Sequence, residues 1–325
     1  MALTDTFGRV ATDLRVSLTD RCNLRCTYCM PAEGLPWLPR PELLTDDELV
    51  RVIGVAVGEG VRTVRLTGGE PLLRPGVLGL VARLAALDVD LALTTNGLSL
   101  SRLAQPLADA GLNRVNVSLD TLRPERFAAL TLRDRFDDVV AGLAAAAAAG
   151  LSPVKVNAVP MRGVNDDELA DLLDWCLERG YELRFIEQMP LDPQHSWDRA
   201  ELVDADAMLA ALGARHTLTP SAARGTAPAE TWLVDGGPAM VGIVGSVTRP
   251  FCGTCDRLRL TADGQLRNCL FAREESDLRA PLRAGATDAQ LVAQMRAVVH
   301  AKKAGHGIND PAFLQPDRPM SAIGG

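Results

Sequence analysis

The sequence predicts an α/β protein built around a parallel sheet, and two observations predict it. Six short apolar, β-branched runs recur through the first two-thirds of the 325 residues, each separated from the next by a helical pattern, which is the signature of parallel strands joined by crossovers. The chain is also 47% apolar and 23% charged, enough to bury one large core, or one plus a small appendage. Parallel strands with helical crossovers curl into a barrel or lie as an open doubly wound sheet, and the residues alone leave both open.

The expected strands are Leu14–Leu18, Arg62–Leu66, Val89–Leu93, Arg114–Leu119, Val154–Val159 and Glu182–Ile186. Thr45-Asp-Asp-Glu48 reads as a capping box opening one helix, and Asn165-Asp-Asp-Glu168 as a similar box opening another. The alanine run Ala144–Ala149 ends at Gly150, which is strong helix propensity stopped by a C-terminal glycine. After Pro190 the pattern changes to a polar stretch, a Pro/Ala/Gly-rich segment at Pro220–Pro228 and short strands at Thr231–Val234 and Ala239–Val244. A domain boundary is expected near Gly245, dividing the chain into 1–245 and 246–325. The second part carries a helix around Asp288–Lys302 and a Pro- and Gly-rich tail ending Gly324-Gly325.

The formal charge of −7 and pI near 5.2 argue against a nucleic-acid or membrane-surface binder, which would carry a basic footprint. An anionic substrate therefore needs a local basic site. No run of roughly 18 apolar residues occurs, and Met1 to Val10 lack a basic n-region and an apolar h-region, so a cytoplasmic location is expected. In either sheet architecture the chemistry sits beyond the strand C-termini. The unusual residues fall there: the first cysteines after strand one, Gly68-Gly69-Glu70 after strand two, Thr94-Thr95-Asn96-Gly97 after three, Ser118 and Asp120 at four, Met189 after six.

Six of the seven cysteines form two tight sets, Cys22, Cys26 and Cys29, then Cys252, Cys255 and Cys269. Clustering of this kind in a chain that needs no disulfide staples points to metal or redox chemistry. Cys176, in a helical pattern, reads as a small buried apolar residue. Cys22-Asn-Leu-Arg-Cys26-Thr-Tyr-Cys29 puts three thiolates on one short loop, able to hold three corners of an iron–sulfur cubane and leave one iron open for a small molecule. A structural zinc is the alternative, but it closes four positions and prefers paired ligands. Cys252-Gly-Thr-Cys255, with thirteen residues before Cys269, again supplies three thiolates. A second cluster with an open iron and a zinc ribbon completed by His300 or His306 both remain possible readings of that set.

The first set, with Tyr28 before its third cysteine, resembles the CxxxCxxC loop of the radical S-adenosylmethionine superfamily, and Gly68-Gly69-Glu70-Pro71 resembles that superfamily's GGE segment. Asp13-Leu-Arg-Val-Ser-Leu-Thr-Asp-Arg-Cys22, Arg65-Leu-Thr-Gly-Gly-Glu70, Phe251 to Leu260 and the terminal Gly324-Gly325 together resemble the molybdenum-cofactor biosynthesis protein A family across essentially the whole chain. The resemblance implies a partial (β/α)6 TIM-like barrel with a small C-terminal domain carrying a second cluster. It implies two 4Fe-4S clusters and S-adenosyl-L-methionine as cofactors, the latter held by Tyr28, Gly68, Gly69, Glu70, Ser118 and Met189.

The implied reaction converts GTP to (8S)-3′,8-cyclo-7,8-dihydroguanosine 5′-triphosphate. Arg15, Arg65, Thr94, Lys155, Arg184, Arg257, Leu258, Arg259, Gly324 and Gly325 are the substrate positions, with Arg15, Arg257 and Arg259 also catalytic. Implied partners are an electron donor such as a flavodoxin or ferredoxin and a downstream cyclic pyranopterin monophosphate synthase, with the chain a homodimer or monomer. The rival functions are a radical S-adenosylmethionine peptide-modifying enzyme with auxiliary clusters and a non-catalytic iron–sulfur or zinc sensor. The former usually carries more C-terminal cysteines and lacks the Arg257/Arg259 pair, and the latter has no use for Gly68-Gly69-Glu70 or Tyr28.

Overall fold

A computed structural model of the chain describes residues 2–221 and 224–324. Its strands are β1 (Asp13–Ser17), β2 (Thr63–Thr67), β3 (Asp90–Thr95), β4 (Arg114–Ser118), β5 (Val154–Ala158), β6 (Glu182–Ile186), β7 (Leu218–Pro220), β8 (Glu230–Val234), β9 (Met240–Val244), β10 (Arg257–Leu260), β11 (Gln265–Arg267) and β12 (Ser276–Asp277). The helices are α1 (Asp46–Gly58), α2 (Val77–Ala85), α3 (Leu100–Asp109), α4 (Pro124–Thr131), α5 (Phe136–Ala148), α6 (Leu169–Glu178), α7 (Ala205–Gly213), α8 (Arg279–Arg283), α9 (Asp288–His300) and α10 (Met320–Ile323).

All six sequence-predicted strands form, within a residue or two of their expected ends. They lie in one sheet of order β12-β11-β10-β1-β2-β3-β4-β5-β6-β9-β8-β7, parallel from β10 to β9. β1 to β6 follow one another without a reversal of order, whereas a doubly wound sheet needs a switch point. Right-handed crossovers running one way put every helix on one face, so the sheet curls with its helices outside. The short antiparallel strands β11–β12 and β7–β8 flank the two ends.

Alternation along the strands divides the molecule. Leu14, Val16, Val64, Leu66, Leu91, Leu93, Val115, Val117, Val156, Leu183 and Phe185 are buried in the main core, on the face the helices cover. Their strand neighbours Arg15, Arg65, Thr94, Asn116, Ser118, Lys155, Asn157 and Arg184 line the inner cavity instead. A period of two thus converts each strand into one apolar and one polar wall. A second, smaller core gathers Leu191, Leu202, Val247, Phe271, Ile308 and Ile323 and seats the C-terminal tail. The chain after Gly245 joins the same sheet, because β10 pairs with β1.

Of the three helix boundaries expected from local chemistry, two form. The Thr45–Glu48 capping box forms with both hydrogen bonds, and α5 ends just before Gly150, which has φ +76°. The expected box at Asn165 does not form. Asp166–Glu168 is a 3₁₀ turn without a side-chain cap. Asn165 instead donates to the Asp120 and Val159 carbonyls at 2.7 and 3.1 Å, and Glu168 accepts from Thr121 and the Leu122 N–H at 2.7 and 2.8 Å. The Met161 N–H takes the Asn165 Oδ1 that a cap would need, at 2.7 Å, and tertiary partners take Glu168. No described helix is long and apolar enough to cross a membrane.

Candidate active site

Both cysteine sets open onto one cavity of about 750 Å³ inside the curl of the sheet, a volume suited to small-molecule ligands. The loop of Cys22, Cys26 and Cys29 follows β1. Its turn is closed by the Cys29 and Met30 N–H groups on the Cys26 carbonyl at 2.8 and 2.9 Å. Arg25 pins it by donating to the Cys22 and Leu24 carbonyls, both at 2.8 Å, and the Arg25 and Thr27 N–H groups tie it to the end of α4.

Gly68 and Gly69 are required by a close loop-to-loop approach. A Cβ on Gly68, which has φ +146°, would lie 2.4 Å from the Thr19 carbonyl, and one on Gly69 2.4 Å from the Arg21 carbonyl. The Gly69 and Glu70 N–H groups donate to those same carbonyls at 2.8 and 2.7 Å. The glycine loop is thereby welded to the segment leading into Cys22. Both glycines also line the cavity, but Glu70 does not. Its buried carboxylate sits behind the wall, accepting from Leu72 N, Thr95 Oγ1 and Asn96 N at 2.9, 2.8 and 2.7 Å. Burial raises it to about 7 despite those donors.

Burial likewise raises the thiols of the first set: Cys22 moderately, Cys26 strongly, and Cys29 to about 12. Three buried thiols near Glu70 and Asp120 are poor anions alone, and a cationic metal centre would offset that cost. Tyr28 donates to Asp120 at 2.8 Å, and burial raises Asp120 to about 6.

The second set meets the opposite electrostatics. Cys252 opens a 3₁₀ turn ahead of β10, and its carbonyl accepts from Arg9 at 2.6 Å. Burial pushes the Cys255 thiol up, but Arg257, Lys302 and hydrogen bonds outweigh it and bring it to about 7. Cys269 follows β11 on a turn bracketed by Arg267, whose guanidinium donates to the Leu270 and Ala272 carbonyls. His306 contacts the Ser246 carbonyl through Nε2 at 3.0 Å and accepts the Ile308 N–H through Nδ1 at 3.1 Å, so neither ring nitrogen is free for zinc. Among the described residues no three His, Cys, Asp or Glu side chains are placed to hold a single metal ion. A cubane, which takes each thiolate on a different iron, suits a wider donor set.

Between the two cysteine sets lies a cationic wall. Arg259, Arg15 and Arg65 stand side by side in register across β10, β1 and β2; Arg257, Lys155 and Arg184 complete it. Burial lowers Arg15, Lys155 and Arg184, brings Arg65 down to about 9 and takes Arg259 well below its usual range, with neighbouring arginines adding to each shift. Arg15 Nε, Arg65 Nε and Nη1, and Arg257 Nη2 are buried donors without a partner among the described residues. Groups of this kind are costly unless an anion meets them. Arg257 also stacks on Phe251, its guanidinium carbon 4.4 Å from the ring centroid.

Of the remaining sequence-predicted positions, Thr94, Ser118 and Met189 line the cavity. Leu258 turns its side chain, 1% exposed, into the core on the opposite face of β10, as strand alternation between Arg257 and Arg259 demands, which leaves only its backbone toward the cavity side. Gly324 lies just behind the wall, where its carbonyl accepts from Arg259, and Lys155 is already paired with Glu182. Gly325 is outside the described residues. Sequence reasoning missed three groups. Arg114, paired with Asp90, lines the cavity and was signalled by the polar alternation Arg114, Asn116, Ser118. Asn96, which reaches Cys22 Sγ at 3.9 Å and Asn23 Oδ1 at 2.7 Å, stood only among strand-end residues. Lys302, on Cys255, had no sequence signal.

Comparison with known proteins agrees with this geometry. Residues 16–176 match the Radical SAM superfamily model, and residues 181–308 match the Molybdenum Cofactor Synthesis C model. GTP 3′,8-cyclase of Streptomyces coelicolor is 64% identical over 99% of this chain and 96% of its own. GTP 3′,8-cyclase of Mycolicibacterium smegmatis is 59% identical over 99% and 92%. Among solved structures, Streptococcus suis SuiB bound to S-adenosylmethionine superposes with TM-score 0.57 at 14% identity, covering 89% of this chain and 69% of that one, a likeness of fold. The chain belongs to the GTP 3′,8-cyclase family of the radical S-adenosylmethionine superfamily.

Proposed function

We propose that this chain converts GTP to (8S)-3′,8-cyclo-7,8-dihydroguanosine 5′-triphosphate, a lyase-class reaction and the first step of molybdenum cofactor biosynthesis. The observation that carries the reading is the shared cavity: two three-cysteine sets facing a row of buried arginines whose donors lack partners. When bound, a 4Fe-4S cluster at Cys22, Cys26 and Cys29 with S-adenosyl-L-methionine supplies a 5′-deoxyadenosyl radical, and a second cluster at Cys252, Cys255 and Cys269 supplies an open iron for the purine.

The chain's own residues bind and orient. Gly68, Gly69, Tyr28, Ser118 and Met189 line the cofactor's part of the cavity, with Glu70 bracing the Thr95–Asn96 turn behind it. Arg15, Arg65, Lys155 and Arg184, with Thr94, hold the triphosphate. Arg257 and Arg259 act at the reacting nucleoside end, Arg257 steadied by Phe251 and Arg259 by the tail at Gly324. Residues 1–245 form the radical-generating barrel, and 246–325 the part that carries the second cluster. The protein works in the cytoplasm, as a monomer or homodimer, with a flavodoxin or ferredoxin as reductant and a cyclic pyranopterin monophosphate synthase downstream.

The test is anaerobic reconstitution followed by reduction and addition of S-adenosyl-L-methionine with GTP, ATP or a peptide. Cyclised nucleotide from GTP alone is expected. Cofactor cleavage without any cyclised nucleotide would overturn the assignment. Cys252→Ser should lose the second set's iron and GTP turnover and keep the first cluster's spectrum; unchanged iron would remove the second cluster.

A further inference from the structure

The two cysteine sets differ in the charge that surrounds them. Around the first lie Glu70 and Asp120, both buried carboxyls, with Arg25 on the Cys22 carbonyl as the one cation donating to a cysteine backbone there. Around the second the cations come from three separate elements: Arg9 from the N-terminal loop on the Cys252 carbonyl, where it is also paired with Asp5, Arg257 from β10, and Lys302 just after α9. Lys302 donates directly to a cysteine sulfur and, unlike Arg257, does not line the cavity. Its Nζ, on a residue 6% exposed, reaches Cys255 Sγ at 3.4 Å, the Cys255 carbonyl at 2.8 Å and the Arg257 carbonyl at 3.0 Å. All three donors of an ammonium are thereby used, and no carboxylate takes part in its ion pairing among the described residues.

A hydrogen bond to a ligating sulfur and a fixed positive charge beside it both favour the more reduced, more negative state of an iron–sulfur centre. We propose that Lys302 is a positioning residue that raises the reduction potential of the second cluster and fixes the Cys255–Arg257 segment on which substrate contact depends. This rests on the proposed second cluster. It assigns the electron-accepting bias of the site to one side chain that lies outside the cavity lining and meets the arginine wall only through the Arg257 carbonyl.

The experiment is an EPR-monitored redox titration of the anaerobically reconstituted full-length protein as wild type, Lys302→Gln and Lys302→Arg, with iron and sulfide measured per chain. Glutamine keeps a donor without the charge, and arginine keeps both. At a fixed potential near the wild-type midpoint, Lys302→Gln is expected to lower the reduced-to-oxidised ratio of the second cluster about tenfold, a fall of about 59 mV for a one-electron couple. Lys302→Arg should stay near wild type, and the first cluster should be unmoved in both. Loss of second-cluster iron in Lys302→Gln with retention in Lys302→Arg also supports the charge role. A midpoint unchanged in Lys302→Gln, or equal shifts or equal iron loss in both variants, overturns it. Wild-type protein with iron for one cluster only would instead sink the second-cluster reading and is distinguished by the iron count.

Discussion

Replacing Gly324 by alanine separates the tail's role from the rest of the site. Gly324 has φ +87°, and a Cβ there would sit 2.4 Å from Thr67 Oγ1 and 3.2 Å from Ser17 Cβ. Thr67 has little freedom to yield, being 2% exposed with its hydroxyl on the Val16 carbonyl at 3.3 Å. A glycine-type backbone conformation costs another residue about 1–3 kcal/mol, before any overlap is counted. Taking about 2 kcal/mol, the balance between seated and withdrawn tail moves roughly 30-fold toward withdrawal. Withdrawal removes the carbonyl that accepts from Arg259.

Withdrawal of the tail relieves the overlap with Thr67 on β2 and Ser17 on β1 and leaves those strands paired, because the tail is anchored on the smaller core through Met320 and Ile323. GTP turnover in Gly324→Ala should therefore fall at least tenfold in an anaerobic assay of cyclised nucleotide, with a melting temperature within about 2 °C of wild type. Turnover within twofold of wild type would refute the seated tail as a working part.

The cationic wall makes two further predictions about protein free of clusters. Inorganic tripolyphosphate should raise the melting temperature, by an amount corresponding to about 2.7 kcal/mol at a hundredfold excess over its dissociation constant. Arg65→Met should melt higher than wild type without ligand, since burial brings Arg65 down to about 9 and the buried cation is a cost at neutral pH; it should also lose most of the tripolyphosphate shift. Equal shifts in both proteins would return Arg65 to a structural role. Glu70 governs a pH effect. Its folded value of about 7 exceeds the ordinary 4.5, so its contribution is full below 4.5 and is lost as pH rises through about 7. Stability of wild type relative to Glu70→Gln should fall by about 3 kcal/mol across that window, measured by thermal melts at stepped pH. Parallel curves for the two proteins would contradict the burial argument.

What the sequence disclosed, and what it withheld, follows from the range of the interactions. Strands were legible because alternation is local: Glu182–Ile186 is β6 as expected. The cysteine sets and their arginines were legible because motif spacing and strand position keep them together. The Asn165 box failed because a capping pattern only proposes partners: the Met161 N–H takes the Asn165 oxygen, and Thr121 and Arg126, more than 35 residues away in the chain, take Glu168. Lys302 was invisible for the same reason. Nothing near it in sequence marks it, and its role exists only once α9 is docked beside β10. Leu258 shows the converse limit: a motif names a residue without saying which face of its strand the side chain takes, and here it faces the core.

The pairing of β10 with β1 also orders the protein's assembly. Arg259 and Arg15 are in register although 244 positions apart, so one third of the arginine row is synthesised first and another near the end. The parallel strands β1 to β6 can pair as they emerge, but β1 keeps an unpaired edge until the last quarter of the chain arrives. Distant pairings of this kind form late and slowly. A chain stalled before β10 would lack Arg257 and Arg259 from the cationic wall and carry an open sheet edge at β1.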